Sequence, residues 1–503
     1  MFNSGFWLLV PPLPARISPI PLPNSGELPC PAQSTRFNPR WNSCPPALDP
    51  KVVRLLHWLL PLIIQRRTAI REIQAENVEV LVELYHQFQA GKIRFLMAFR
   101  HPSTDDPLCL AYLLSRLVPK AAKQQGVSLQ FPIHAHFMYD RGIPLWAGSF
   151  ITWALSRLGG TPIMRGKVDR AGLRSARNLL ANGNLPMMAA PEGATNGHTE
   201  VVSPLEPGIS QLCFWCVEDI QKAARSEQVF IVPIGIQYCY ITPPWKEVAD
   251  LLTELEIDTG LVAKTAIVSE SAIDEATLYR RLYRLGEHLL GVMEQYYTRF
   301  YHQDLPVAKV KPEVGQPIES YIPISNEEFA TRLNALLNAA LKVAEEYFNL
   351  PSKGSVIDRC RRLEQSAWDY IYREDIKNVE TLSPLEHGLA DRVAEEADLR
   401  AWHMRIVESF VAVTGKYVLE KPTIERFAET ALLMRDMVAR IKGKDPFNRP
   451  KLGKMKALIT VGQPISVSDR WKTYHESRRG AKQAVTELTQ DLQIALENMA
   501  KSE

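Results

Sequence analysis

Between Lys92 and Tyr238 short apolar runs alternate with helical patterns. Beyond residue 250 helices take over, and after residue 455 a strand and then a long helix return. This order points to an α/β fold: a mixed sheet flanked by helices, with a largely α-helical insertion domain. The expected divisions are a Pro-rich disordered N-terminus over 1–48, an α/β core over 49–250, the helical insertion over 251–455, and a strand and helix over 456–503 that complete the core. A chain of 503 residues, 46% hydrophobic and 23% charged, is globular and long enough for several domains.

Residues 1–50 carry twelve of the 36 prolines and only two acidic residues, Glu27 and Asp49, a composition that cannot pack a core. Phe6 to Val10 is too short for a signal-peptide apolar region and runs into Pro11-Pro12, and the prolines would also break the amphipathic helix of a transit peptide. The next apolar run, Val52 to Ile64, is too short to span a bilayer and contains Pro61. Its flanking Lys51, Arg54, Arg66, Arg67 and Arg71 suit a helix lying at the headgroup boundary of an anionic membrane. A helix buried against the core fits the same pattern.

Phe95 to Phe99 reads as a buried strand and Leu108 to Leu117 as a packed helix, with His101 and Asp106 at the junction. Five positions correspond to about 500° of rotation on a helix, so the two side chains can meet only across a turn. There the carboxylate would hold one imidazole nitrogen and leave the other as a general base. Asp106-Pro107 is also an ordinary N-cap with proline at the first helical position, and Ser103-x-x-Asp106 resembles a capping box.

The alternation continues with strands near Phe131–Met138, Leu185–Ala190 and Val229–Tyr238, and helices near Leu145–Leu158, Ala171–Leu180 and Ile209–Ala224. Ligands gather at the carboxyl ends of strands in open sheets of this kind. His101, Pro191-Glu192-Gly193 and Pro233-Ile234-Gly235 fall at or near such ends, and three further stretches join the first. Gly160 to Lys167 offers Arg165 after a small-residue turn, suited to bidentate phosphate binding. Pro191-Glu192-Gly193-Ala194-Thr195-Asn196 offers a carboxylate, glycine amides, a hydroxyl and an amide, and Val232-Pro233-Ile234 ends another strand.

With His101-x4-Asp106 first and these three blocks following in order, residues 50–245 resemble the phospholipid/glycerol acyltransferase family, the group of 1-acyl-sn-glycerol-3-phosphate (lysophosphatidic acid) acyltransferases. The resemblance implies an O-acyltransferase at the cytoplasmic face of a membrane, bound peripherally. It would move a fatty acyl group from an acyl thioester, coenzyme A or acyl carrier protein, to a hydroxyl of a glycerolipid such as a lysophospholipid. It further implies His101 as general base, Asp106 as its orienting partner, and a substrate-binding set of Arg165, Lys167, Glu192, Gly193 and Thr195, with no metal and no cofactor beyond the acyl donor. Arg100 stands where the family usually has Asn, Ala190 where it has Phe, and Ala194-Thr195-Asn196 where it has Thr-Arg-Ser. The lost arginine removes a phosphate contact worth about 1.5–3 kcal/mol unless Lys167 or Arg170 replaces it. The alternative is a non-catalytic lipid-binding or adaptor protein on the same fold.

Other constellations carry less. A net charge of +3 argues against nucleic acid as the main partner, and seven scattered cysteines are not a disulfide framework. Cys213-Phe-Trp-Cys216 has metal or redox spacing but lies in an apolar helical run, and His134-x-His136 has no further ligands in view. The basic series Arg157, Arg165, Lys167, Arg170, Arg174 and Arg177 suits a phosphate-facing or membrane-facing patch, and since 170, 174 and 177 share a helical face a plain solvated face fits equally. Past residue 250, Ser325-x-x-Glu328 reads as a capping box before an apolar period running to Phe348, with further helices near 274–299, 385–413 and 423–442 and no chemistry in them. Val314-Gly-Gln-Pro-Ile318 recurs at Val461–Ile465 without a matching context.

Overall fold

The computed structural model describes residues 37, 45–143, 149–164, 169–262, 274–306, 318–373, 375–376, 379–411, 415–446 and 448–501. Of the expected disordered segment 1–48, all but residues 37 and 45–48 lie outside them. Eight strands form one mixed sheet: β1 (Ile70–Glu76), β2 (Ile93–Phe99), β3 (His136–Asp140), β4 (Gly160–Ile163), β5 (Met187–Ala189), β6 (Gln228–Tyr240), β7 (Met455–Val461) and β8 (Ile465–Ser466). Their order across the sheet is β1-β7-β6-β2-β5-β3-β4, with β8 also against β6. All pairings are parallel except those of β6 with β7 and β8.

β2 lies centrally and every one of its residues is buried, which is why it reads as an unbroken apolar run. Its alternate side chains feed two cores. Phe95, Met97 and Phe99 join the layer made by α1 (Pro50–Arg67), α2 (Val78–Gln89), α3 (Asp106–Tyr112) and α4 (Val118–Gln124). Leu96 and Ala98 join the opposite layer, built with α6 (Arg170–Asn182), α7 (Pro207–Lys222) and α16 (Arg478–Lys501); α5 (Ser149–Arg157) packs against β4. The period of two in the strand thus decides which helices cover which face.

Between the two halves of the sheet the chain builds a helical region: α8 (Trp245–Asp258), α9 (Glu275–Tyr301), α10 (Asn326–Phe348), α11 (Val356–Ile371), α12 (Pro384–Val411), α13 (Gly415–Glu420) and α14 (Ile424–Ile441). It has its own apolar core, and α8 straddles residue 250. Buried bidentate pairs cross that core, Arg332 with Glu294 at 2.9 and 2.7 Å and Arg359 with Glu345 at 2.7 and 2.8 Å, each carboxylate meeting a guanidinium fork. Ser325 caps α10 by accepting from the Glu328 amide at 3.1 Å.

After β7 the chain breaks at Gly462-Gln-Pro464 before β8, then forms α15 (Trp471–Glu476) and α16. This break answers a proline. β6 pairs with β8 at Phe230 and Ile231 and with β7 from Ile234 onward, so Pro233, which has no amide hydrogen, falls where the neighbour changes. Val232-Pro233-Ile234 therefore does not end a strand, as expected from sequence, but lies within one that continues to Tyr240. Gly462 is needed at this crossing because a Cβ there would meet Met499 and the Pro233 ring at 2.2 and 2.7 Å.

Three other expectations differ locally. The expected helix 108–117 is α3 followed by a π-turn over Leu113–Leu117, which ends two positions before Pro119, whose missing amide cannot continue an α ladder. The small-residue turn at Gly160 is strand β4, and Phe131–Met138 is strand only from His136.

β1 is joined to the sheet through β7 alone. A chain ended at residue 450 would lose both of β6's antiparallel neighbours and detach β1, exposing open edges. It is expected in the insoluble fraction on expression, and a soluble 1–450 protein with native circular dichroism would contradict the topology.

Candidate functional site

The parallel register of β2, β5 and β6 brings three chain segments to one end of the sheet. Ala98 lies opposite Ala189 on one side and Pro233 on the other, so the residues that follow β2 and β5 emerge together. His101 comes from the first turn and Glu192 from the second.

His101 Nδ1 lies 2.8 Å from Asp106 Oδ2. Since the carboxylate can only accept, Nδ1 donates and Nε2 is left with its lone pair. The imidazole keeps 22% of its side-chain surface exposed, while the Asp106 carboxylate has none. Asp106 is not the N-cap expected from its spacing. Asp105 holds that position without a side-chain bond, and Asp106 is the first helical residue, its carboxylate turned back toward His101. Besides the imidazole it accepts from the Ser103 amide at 3.0 Å and from the Tyr238 hydroxyl on its other oxygen.

Burial pushes the Asp106 carboxyl above the usual carboxylate range, and the donors from His101, Tyr238 and Ser103 pull it back. Burial and the Asp106 charge hold the Tyr238 phenol well above its ordinary value, so Tyr238 can only donate to this carboxylate. Cys109 Sγ closes the cluster, 3.6 Å from the Tyr238 oxygen.

Glu192 is buried and both its oxygens are engaged within the protein. Oε1 accepts from the His101 backbone amide at 2.9 Å, and Oε2 from the Ser203 amide at 2.8 Å and Asn196 Nδ2 at 2.9 Å. The carboxylate thus positions His101 and the loop after β5, and is not turned outward to a polar substrate. Arg100 is fully buried beside it, Nε 3.8 Å from Oε1. Its Nη2 donates to the carbonyls of His198 at 3.1 Å and Val201 at 2.5 Å, and Nη1 to that of Thr199. Arg100 is therefore an internal clamp on the 198–201 backbone.

Gly193 has φ +74°, a left-handed conformation, and a Cβ there would sit 1.8 Å from Glu206 Oε1. The turn it permits carries Thr195 back over the imidazole, with Oγ1 3.1 Å from His101 Nε2. Asn196 follows, its amide nitrogen 3.3 Å from the His101 carbonyl and its side chain also donating to the Val201 carbonyl at 2.7 Å. Asn196 is thus bound within the loop.

The helical region holds the far side of this loop. Glu429 of α14 accepts from the Thr199 amide at 3.0 Å, Arg426 donates to Glu200 at 2.8 Å, and Arg361 of α11 pairs with Glu206. Leu433 packs on Gly197. Helices that show no chemistry in sequence are here the support of a site loop.

Arg165 and Lys167, expected on phosphate, lie outside the described residues. Arg177 is committed elsewhere, to Asp219 at 2.7 and 2.6 Å and Glu218 at 3.0 Å of α7, so it does not share an open basic face with Arg170 and Arg174. Cys213 and Cys216 are buried in the core. His134 Nε2 lies 3.0 Å from the Leu158 carbonyl and His136 Nδ1 3.1 Å from that of Gly159. Among the described residues no cluster of three or more metal-ligating side chains occurs. Comparison with family models, curated proteins and solved structures found no match.

Tyr238 escaped the motif-based reading, and Arg100 entered it without its role. Tyr238 had a usable signal, since Ile234, Ile236 and Tyr238 alternate along one strand and share a face. Glu429 had none, lying 230 positions from Thr199.

Two expected outcomes follow from these placements. Gly193→Ala puts a Cβ at a positive φ and displaces the Glu206 carboxylate from its pairing with Arg361, and should lower the unfolding midpoint and cost about 1–3 kcal/mol, read by urea titration. Burial holds His134 down to about 4, below its ordinary 6.5, so the native state keeps it neutral. That contribution is fully present above pH 6.5 and is lost as pH falls through 4. His134→Gln should therefore lose less stability than the wild type between pH 7 and 5, by on the order of 2 kcal/mol. Parallel losses would remove His134 as a source of acid lability.

Proposed function

We propose that the protein is an O-acyltransferase that takes a fatty acyl group from an acyl thioester, on coenzyme A or acyl carrier protein, and gives it to a hydroxyl of a glycerolipid at a membrane surface. The observation that carries the proposal is the His101–Asp106 pair: an imidazole held at Nδ1 by a buried carboxylate, with Nε2 open toward a hydroxyl at 3.1 Å. The order of the four sequence blocks supports the choice of reaction.

In such a reaction the acceptor hydroxyl oxygen attacks the thioester carbonyl carbon while its proton passes to His101 Nε2. The C–S bond then breaks as the tetrahedral intermediate collapses, and the departing sulfur takes the proton back from the imidazolium. Asp106 favours the imidazolium without itself leaving its three donors. General-base help of this type contributes about 10²–10⁴ in rate.

An exposed apolar surface with a basic rim supports the choice of a lipid acceptor. Leu55, Trp58 and Leu62 lie on one side of α1, and Trp58 is 72% exposed, while Val53, Leu60, Ile63 and Ile64 on the other side pack into the core. Phe150 and Trp153 stack on the exposed side of α5, next to α1. Lys51, Arg54, Arg66 and Arg67 are exposed around α1, the basic rim an anionic headgroup layer would meet. The two readings of this helix combine: one face packs inward and the other is apolar and open. No helix is long and apolar enough to cross a membrane among the described residues.

The decisive test is thiol release from palmitoyl-coenzyme A or palmitoylated acyl carrier protein in the presence of lysophosphatidic acid or neutral monoacylglycerol. His101→Ala should lower turnover by more than about 10² with an unchanged melting temperature, because the side chain lies in a turn and not in the core. Wild-type protein that consumes no thioester, or a His101→Ala variant of near-normal rate, would sink the proposal and favour a non-catalytic lipid-binding role.

A further inference from the structure

The hydroxyl that lies against His101 Nε2 belongs to the chain itself. Thr195 Oγ1, His101 and Asp106 form a continuous relay, hydroxyl to imidazole at 3.1 Å and imidazole to carboxylate at 2.8 Å. This is the arrangement of an activated nucleophile, with a base in reach of the hydroxyl and a third group orienting the base. We propose that Thr195 carries the acyl group as a threonyl ester, so that transfer proceeds in two half-reactions through a covalent intermediate.

The inference rests on the acyl-transfer reading above and replaces its direct attack on the thioester with two successive steps. Nε2 has one lone pair and can accept one hydroxyl at a time. For direct transfer, the acceptor hydroxyl must occupy the position Thr195 Oγ1 holds. The backbone of the loop is held there, by the left-handed turn at Gly193 on one side and by the ties of Asn196 to Glu192, Val201 and the His101 carbonyl on the other, so only a turn of the Thr195 side chain about χ1 would vacate the position. Thr195 itself is exposed, so a bulky thioester can reach the hydroxyl. Among the described residues no acceptor takes the backbone N–H of Ala194 or Thr195, which leaves both available to a developing oxyanion beside the nucleophile.

In the first half-reaction Thr195 Oγ1 attacks the thioester carbonyl, its proton moves to His101 Nε2, the C–S bond breaks, and the thiol leaves with that proton. In the second, the acceptor hydroxyl gives its proton to Nε2 and attacks the threonyl ester. The C–O bond to Thr195 breaks and the proton returns to Oγ1. Atoms balance with no further reactant, and the chain ends as it began.

The full-length protein is mixed with palmitoyl-coenzyme A, and separately with palmitoylated acyl carrier protein, without an acceptor. Thiol release is followed in the first turnover and the acid-quenched protein is analysed by peptide mass spectrometry. The expected result is a burst approaching about one thiol per chain, and a peptide containing Thr195 heavier by one palmitoyl group less a hydrogen. Addition of lysophosphatidic acid should discharge it. Thr195→Ser should retain burst, adduct and transfer. Thr195→Val, which keeps the shape without the hydroxyl, should lose all three, with turnover down by more than about 10² and an unchanged melting temperature. Turnover by Thr195→Val within about threefold of wild type, or wild-type turnover with no adduct at Thr195, would overturn the intermediate. Transfer abolished by His101→Ala but kept by Thr195→Val leaves acyl transfer standing and removes only the threonyl ester. A wild-type protein inert toward both donors, with and without acceptor, removes both.

Discussion

The buried carboxylate of Glu192 is the constraint from which the site geometry follows. A carboxylate taken from water costs several kcal/mol unless donors and a counter-charge replace its hydration. Here the replacement is supplied by chain segments that must therefore stay together: the amide of His101 after β2, the amide of Ser203 and the side chain of Asn196 on the loop after β5, and the Arg100 guanidinium. Moving any of these exposes a charge that has nowhere else to go. The loop accordingly has one conformation in which the carboxylate is fully engaged, and in it Thr195 lies over the imidazole.

A second buried carboxylate sets the imidazole's chemistry, and the sheet explains how the two stay independent. Asp106 is reached from β6, through Tyr238, whereas Glu192 belongs to the loop after β5; β2 lies between them and delivers His101 to both. Glu192 fixes the His101 backbone and Asp106 fixes its ring. Neither carboxylate has to yield its donors when the imidazole gains or loses a proton, so the ring is preorganised without being spent on structure.

Much of this was legible where local physics decides the outcome. The strand–turn–helix at residues 95–117 could be read because a buried central strand is an apolar run, and because His101 and Asp106, five apart, can meet only across a turn. β1 could not be read this way. It is an edge strand with Ile70 alone fully buried, so its sequence, Ile-Arg-Glu-Ile-Gln-Ala-Glu, carries the charges that protect an edge and not the apolar run of a core strand. Arg100 illustrates a different limit. Sequence marks it as a charge beside the His101-x4-Asp106 pair; only the fold reveals three carbonyls converging on its guanidinium. A residue whose partners lie about a hundred positions away has no local signature, and the same holds more strongly for Glu429.

The helical region enters the site by the same logic of satisfied polar groups. Loop 193–206 is long, and its backbone groups near the protein interior need partners that β5 and the Gly193 turn cannot provide. Glu429 takes the Thr199 amide, Arg426 and Lys421 take Glu200, and Arg361 takes Glu206, while Arg100 takes the carbonyls from below. The loop is therefore held between two bodies, the end of the sheet on one side and helices α11 and α14 on the other. A shift of those helices relative to the sheet would act first on residues 197–206 and, through Asn196, on the position of the Thr195 hydroxyl. The long connection between β6 and β7 thereby forms part of the support that keeps a hydroxyl within reach of the imidazole.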